Sequence, residues 1–405
     1  MFRRRTFSSV LSNYAAVRKS RFVVVCVTLA AALLLAPNAA SSAPTPTQPF
    51  KGLPGISPTG YLYAAAVLGS RSMIAGGVGV GDPAHARLQR WNGSTVSTMP
   101  SGNVNDDPFS AYVSDFAVVS STDVWAIGGY CDYHYCSGLQ ARWTGKAWKA
   151  ITTPNVLFSD GLKTYATDAI TAVGGTIWIS GANFMAEYSG ETDSYAAMIL
   201  RRDTAGHWTQ TVLPRAPGGA DSEATGLYAA SPTNIWAAGY YWSGSNVEAT
   251  HQIVWHYDGK AWRVVPVPAP PNTVGVTSMR GSGPGDIWLT LCASAHYGYC
   301  DSPSNTLLHY SSGTWTTVTA PSGWRISAVR SAGAKDLWAV GTLNNSALAA
   351  HWQGQTWQRI PVQLPSTATA ELNAVILTAH QVIAVGDQQA QGQDYPHTVW
   401  VARPR

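Results

Sequence analysis

"DVWAIGG" at residues 123–129 returns, slightly altered, as "TIWISGA" (176–182), "NIWAAGY" (234–240), "DIWLTLC" (286–292) and "DLWAVGT" (336–342). Two degenerate copies, "SMIAGGV" (72–78) and "QVIAVGD" (381–387), bring the number to seven; Met73 and Ile383 are read in the places of Trp125, Trp178, Trp236, Trp288 and Trp338. A period of roughly 50 residues marks a repeat fold, because one such unit cannot bury its own apolar face and must stack on its neighbours.

Ahead of each copy runs a short strand ending in small residues, such as "DFAVVSS", "GLYAASP" and "ISAVRSAG". After it, beyond a variable loop, comes a hairpin: "RWNGSTV", "RWTGKAW", "RRDTAGHW", "HYDGKAW", "HYSSGTW" or "HWQGQTW". The glycine in each supplies the positive φ of a tight turn. Each unit therefore reads as four antiparallel strands, and the chain as an all-β, seven-bladed β-propeller. Its blades span about 60–100, 109–154, 164–214, 223–268, 275–321, 325–363 and 371–405. The last unit lacks a fourth strand before Arg405, and "FKGLPGISP" (50–58) is expected to pair there, removing an exposed sheet edge. The tryptophans are expected to fill the wedge between blades. Asp123, Asn234, Asp286 and Asp336, two residues earlier, are expected to hydrogen-bond their own turns.

These motifs resemble secreted bacterial repeat proteins built of "DxWAVG … HWxGxxW" units and, more distantly, Asp-box and kelch-type propellers. The resemblance covers residues 55–405 and implies a seven-bladed propeller rather than a reaction. Sialidase chemistry is not carried over, because the Asp-box aspartate is replaced by Trp352 and Ser311 in the two closest hairpins.

The first 43 residues read as a secretory signal peptide: Arg3, Arg4, Arg5, Arg18, Lys19 and Arg21, then the apolar "FVVVCVTLAAALLLAP", then the small "NAASSA". The apolar run is shorter than the ~20 residues of a spanning helix, so no membrane anchor is expected after cleavage. Residues 44–50, "PTPTQPF", read as a linker to a propeller at 51–405. Six of the 26 Lys and Arg precede residue 43, leaving 20 against 22 Asp and Glu. The remaining chain is slightly acidic without a clustered basic footprint, which excludes a nucleic-acid partner. A secreted, extracellular or envelope-associated monomer is expected.

Four cysteines remain, in equivalent loops of the second and fifth units. Those loops lie nearly opposite in a ring of seven, so Cys131 pairs with Cys136 and Cys292 with Cys300. Metal ligation by Cys131, His134 and Cys136 is the sharper alternative, but the spacing and the lack of further ligands disfavour it. The same loops carry Tyr130, Tyr133, His134 and Tyr135, then His296, Tyr297 and Tyr299; the fourth unit adds Tyr240, Tyr241 and Trp242. Such rings give stiff contact area with polar tips, suited to a glycan or an extracellular protein. They equally pack loops down as satellite cores. Arg280 and Arg330 occupy the same position in adjacent innermost strands, where they face a polar channel and an anion, or bond carbonyls between blades.

Neither a nucleophile elbow nor a phosphate-binding glycine loop is present, so no cofactor is expected. The sequence favours a non-catalytic binder of carbohydrate or an extracellular protein. The alternative is a polysaccharide hydrolase or lyase using loop carboxylates such as Asp132, Glu187, Glu191, Asp193, Glu248 or Asp301 around the central pocket.

Overall fold

The computed structural model describes residues 48–405, apart from 82, 106–109, 132–135, 152–164, 186–193, 243–249, 297–298 and 365–368. The stretch read as a signal peptide and most of the stretch read as a linker lie outside the described residues. Six four-stranded sheets are each built in chain order from an innermost strand outward, and a seventh, of five strands, is so for its first three. The innermost strands are Gly60–Gly69, Ser110–Ser120, Tyr165–Val173, Asp221–Ser231, Gly275–Gly283, Trp324–Gly333 and Thr369–Leu377. Each touches the innermost strands on either side, and the last touches the first, so the seven blades close a ring.

Closure works as expected and goes one strand further. Phe50–Gly52 pairs antiparallel with His397–Pro404, with Lys51 opposite Ala402. Its outer edge is then covered in parallel by Val362–Gln363, which leaves the sixth blade to become a fifth strand on the seventh. The fold thus starts at Phe50, the final residue of the stretch read as linker. Phe50 is fully buried and meets Trp338 edge-on at 6.2 Å.

The second strands are buried nearly end to end, as in Asp336–Leu343, because a blade lies against each face. Trp125, Trp178, Trp236, Trp288 and Trp338 are all buried, each in an apolar cluster shared with the following blade. In the first blade that position belongs to Ile74, not Met73. Ile74 stands opposite Arg90 as Trp125 stands opposite Arg142, and it packs toward the second blade while Met73 packs toward the seventh. A one-residue slip in a strand moves a side chain to the other face.

Of the Asp and Asn side chains that precede the tryptophans, Asp286 bonds its own turn, accepting from Ser282 at 2.6 Å, but the set is built for another contact. They reach across to the third strand, because residues two apart on a strand share a face. Asp286 Oδ1 accepts from Trp288 Nε1 at 2.9 Å and is 2.8 Å from His309 Nε2, and the His309 ring stacks on Trp288 at 3.8 Å. Asn234, Trp236 and His256 repeat the arrangement in the fourth blade, and Asp336, Trp338 and His351 stack likewise in the sixth. In the second blade Arg142 replaces the histidine, donating twice to Asp123 at 2.7 and 2.9 Å and lying over Trp125. Burial alone would raise the Asp286 pKa, but hydrogen bonds from His309, Ser282, Ser331 and Trp288 outweigh it and hold the carboxyl at about 2.

Phe50→Ala should cost about 3–5 kcal/mol, the usual loss for truncating a buried phenylalanine, whereas exposed Lys51→Ala should stay within about 0.5 kcal/mol. Guanidinium denaturation midpoints of the two variants check this. Asp286→Asn should flatten acid sensitivity. As pH falls from about 4 toward about 2, the unfolded chain binds a proton that the folded Asp286 carboxylate refuses, so the parent loses stability that the variant lacks the group to lose. Thermal melts of both proteins across that window measure the difference.

Candidate functional site

Six of the seven repeats carry a glycine at the sixth position of the motif, as in Gly128 and Gly341. A Cβ added to Gly128 would lie 1.9 Å from the Tyr112 carbonyl oxygen, and one on Gly341 1.9 Å from that of Arg325. The innermost strand presses on the second strand there because it bulges. Every one of the seven inner pairings shifts register at this level. A bulge turns its extra residue out of the ladder. That residue is polar in every blade: Tyr63, Ser114, Asp168, Thr225, Thr277, Ser327 and Asn373, all lining a central cavity of about 160 Å³.

The channel is chemically polarised along its axis. Second strands run antiparallel to the innermost ones, so their variable loops gather at the face where the innermost strands begin. Toward that looped mouth lies a pair of acids, Asp168 and Glu223, hydrogen-bonded to each other, with the Tyr240 hydroxyl donating to Glu223 Oε2. Burial raises both carboxyls, Asp168 furthest, because the Glu223 charge adds to the effect; the bonds from Tyr240 and Asp168 only partly offset it at Glu223. The pair therefore shares a proton. The second oxygen of Asp168, Oδ2, is buried with no hydrogen-bond partner.

Three residues beyond the bulge stand Arg280 and Arg330, which line the same cavity. Arg280 reaches across the bore to the second blade, where its Nη2 meets Asp115 Oδ1 at 3.0 Å. Asp115 is buried and also accepts from the Phe116 and Ile170 amides. Arg330 exposes its surface to the channel while protein surrounds it, and among the described residues it has no hydrogen bond or ion pair.

The aromatic residues read as a contact surface divide differently. Tyr240 and Trp242 are buried, at 8% and 6% exposure, with the Trp242 ring held between Tyr195 and Tyr240 at 5.3 and 5.6 Å. They pack the base of their loop and present no face to a partner. Tyr130 is half-buried and donates to the Val104 carbonyl at 3.1 Å, and half-buried Tyr241 packs on His251 at 5.2 Å. Tyr133, His134, Tyr135 and Tyr297 lie outside the described residues, as do the side chains of His296 and Tyr299. The backbones of Cys131 and Cys136 face each other across the second and third strands of their blade, but their side chains are not described. Cys292 and Cys300 form a disulfide with Cα atoms 5.7 Å apart. Among the described residues no three His, Cys, Asp or Glu side chains stand together as a metal site. Of the loop acids only Asp301 is described, and it is exposed.

The sequence reading overlooked Asp168, Glu223 and Asp115. Aligning the innermost strands on one column would have exposed a single polar residue in each, from Tyr63 to Asn373.

The sequence matches no family model and no curated protein. The fold is similar to that of the GH74 xyloglucanase from Xanthomonas campestris, with a TM-score of 0.53 at 13% identity over 87% of this chain. This chain spans 55% of that enzyme's length. A protein of unknown function from Dyadobacter fermentans (TM-score 0.49, 12% identity, 89% of this chain and 99% of that one) has a similar fold. So does the polysaccharide lyase Uly1 (TM-score 0.49, 10% identity, 89% and 98%). At these identities the likeness is one of fold.

Proposed function

We propose that this protein is a secreted, monomeric binder of carbohydrate that takes the end of a glycan into the looped mouth of its channel without turning it over. The observation that carries this reading is the ring of polar side chains, one from the bulge of each blade, that lines the central cavity with hydrogen-bonding groups. The hydroxyls of a terminal sugar both donate and accept, as these side chains do, so a ring of them can satisfy one bound unit. A cavity of about 160 Å³ holds a single terminal unit, and the variable loops around the mouth are placed to select among the sugars attached to it. The disulfide at Cys292 and Cys300 suits an oxidising, extracellular setting.

Hydrolysis by paired acids fits less well. Glycosidases hold their carboxyl groups about 5–10 Å apart, leaving room for the glycosidic bond or a water. Asp168 and Glu223 are in direct hydrogen-bond contact. An extracellular protein in place of a glycan would engage the loop tips instead of the channel.

The full protein should be retained by at least one glycan or cell-wall polysaccharide on a binding array, with no new reducing ends released from any hit. Asp168→Asn should weaken that binding about tenfold, or ~1.4 kcal/mol. Release of reducing ends, or unchanged binding by the variant, would refute the reading. The acid pair has its own check. As pH rises above about 4, the unfolded chain sheds protons that the folded pair keeps, so stability should fall until the raised folded pKa values are passed, and less so in Asp168→Asn.

A further inference from the structure

The two channel arginines are not equivalent. Arg280 is neutralised by Asp115 at 3.0 Å. Arg330, in the next blade, is exposed to the channel and has neither a salt bridge nor a hydrogen bond among the described residues. The charges it feels are those of Arg280, which repels it, of Asp115, already engaged, and of the Tyr228 phenol. The acid pair at the looped mouth is not among them. Burial and the Arg280 charge both push the Arg330 guanidinium below its ordinary value. A guanidinium that faces a channel without a counter-ion of its own is open to an anion that enters from solvent.

We propose that Arg330 is the anchor of an oxyanion site in the channel, and that its ligand is a carboxylate, borne by a small acid or by a sugar acid. Charge matching selects the class. At the arginine end of the cavity, where Arg280 and Asp115 cancel, one positive charge is left over, and a monoanion balances it where a phosphate dianion would exceed it. Geometry agrees. The planar guanidinium fork pairs with a carboxylate through two parallel N–H···O bonds. Ser278 and Ala328 line the same cavity, small side chains that leave space before the fork.

Both sites open on one cavity but use different anchors, so variants at Arg330 and at Asp168 test the two proposals separately. Thermal melts of the full protein are run at constant ionic strength with acetate, galacturonate, galactose, sulfate or inorganic phosphate, chloride serving as the reference. Acetate and galacturonate should raise the Tm saturably, while galactose should have no effect through Arg330. Arg330→Gln should abolish the carboxylate response, and its Tm without ligand should equal or exceed the parent's, since an unbalanced charge has gone. Arg330→Lys keeps the charge without the fork and should bind at least tenfold more weakly than the parent; it also serves should the glutamine variant fail to fold. No saturable rise with either carboxylate, an equal rise in the Arg330 variants, or a rise confined to sulfate and phosphate would overturn the assignment. Loss of glycan retention alongside an intact acetate response would count against the channel-mouth reading alone.

Discussion

A single close contact, repeated around the ring, sets the chemistry of this molecule: the innermost strand's backbone carbonyl lying against a second strand that has no side chain there. At Gly128, Gly239, Gly341 and Gly386 a Cβ would come within 1.9 Å of a carbonyl oxygen, a separation no side chain tolerates. Glycine lets the two strands approach, the approach accommodates the bulge, and the bulge turns one residue per blade toward the axis. The motif therefore has two outputs. Its tryptophan holds the blades apart, and its glycine decides what the channel displays. In the fifth blade Leu291 takes the glycine's place opposite Val276, and the bulge at Thr277 persists, so ring geometry sustains the feature even where one contact is altered.

Wedging by indoles raises a second problem, since a buried N–H needs an acceptor. The side chain two residues upstream, Asn234 in the fourth blade and Asp286 in the fifth, answers it, and the third-strand histidine stacked on the ring fixes that side chain in turn. The seam between the last and first blades has no such indole in its second strand. There Trp400 donates to Gln89 at 2.7 Å, and Gln89 donates to Thr398 at 3.0 Å, all three buried. Closure of the ring is thus secured by a different polar network from the one that repeats within it, together with Phe50 against Trp338.

The seven blades, the ring closure and the Cys292 pairing were legible in the sequence because each rests on local spacing: a motif period, a missing strand, two cysteines in one loop. The partners of Asp286 were not, since register between strands is invisible in a linear pattern; Ile74, by contrast, was legible, being third in its copy as Trp125 is in its own. The channel acids escaped for another cause. Asp168 and Glu223 sit at different depths of adjacent blades, and only the bulges bring them together. Aromatic residues near loops drew attention by their number, yet Tyr240 and Trp242 turn inward because the strand continues through them to Trp242 before the loop begins.

The ion pair between Arg280 and Asp115 bears on what the channel can be. Blades two and five stand nearly opposite, so a bond between them crosses the bore and bars it as an open conduit. Such a pair, half-desolvated, contributes little net stability compared with apolar packing. Its effect is to divide the axis into a mouth holding a shared proton and an interior holding an unbalanced positive charge. A rigid ring of strands cannot close over a substrate as a hinged pair of domains does, so recognition here depends on groups already in place before the ligand arrives. That favours selective capture of a small polar terminus, because preorganised acceptors and a waiting cation lose little entropy on binding and need no conformational step.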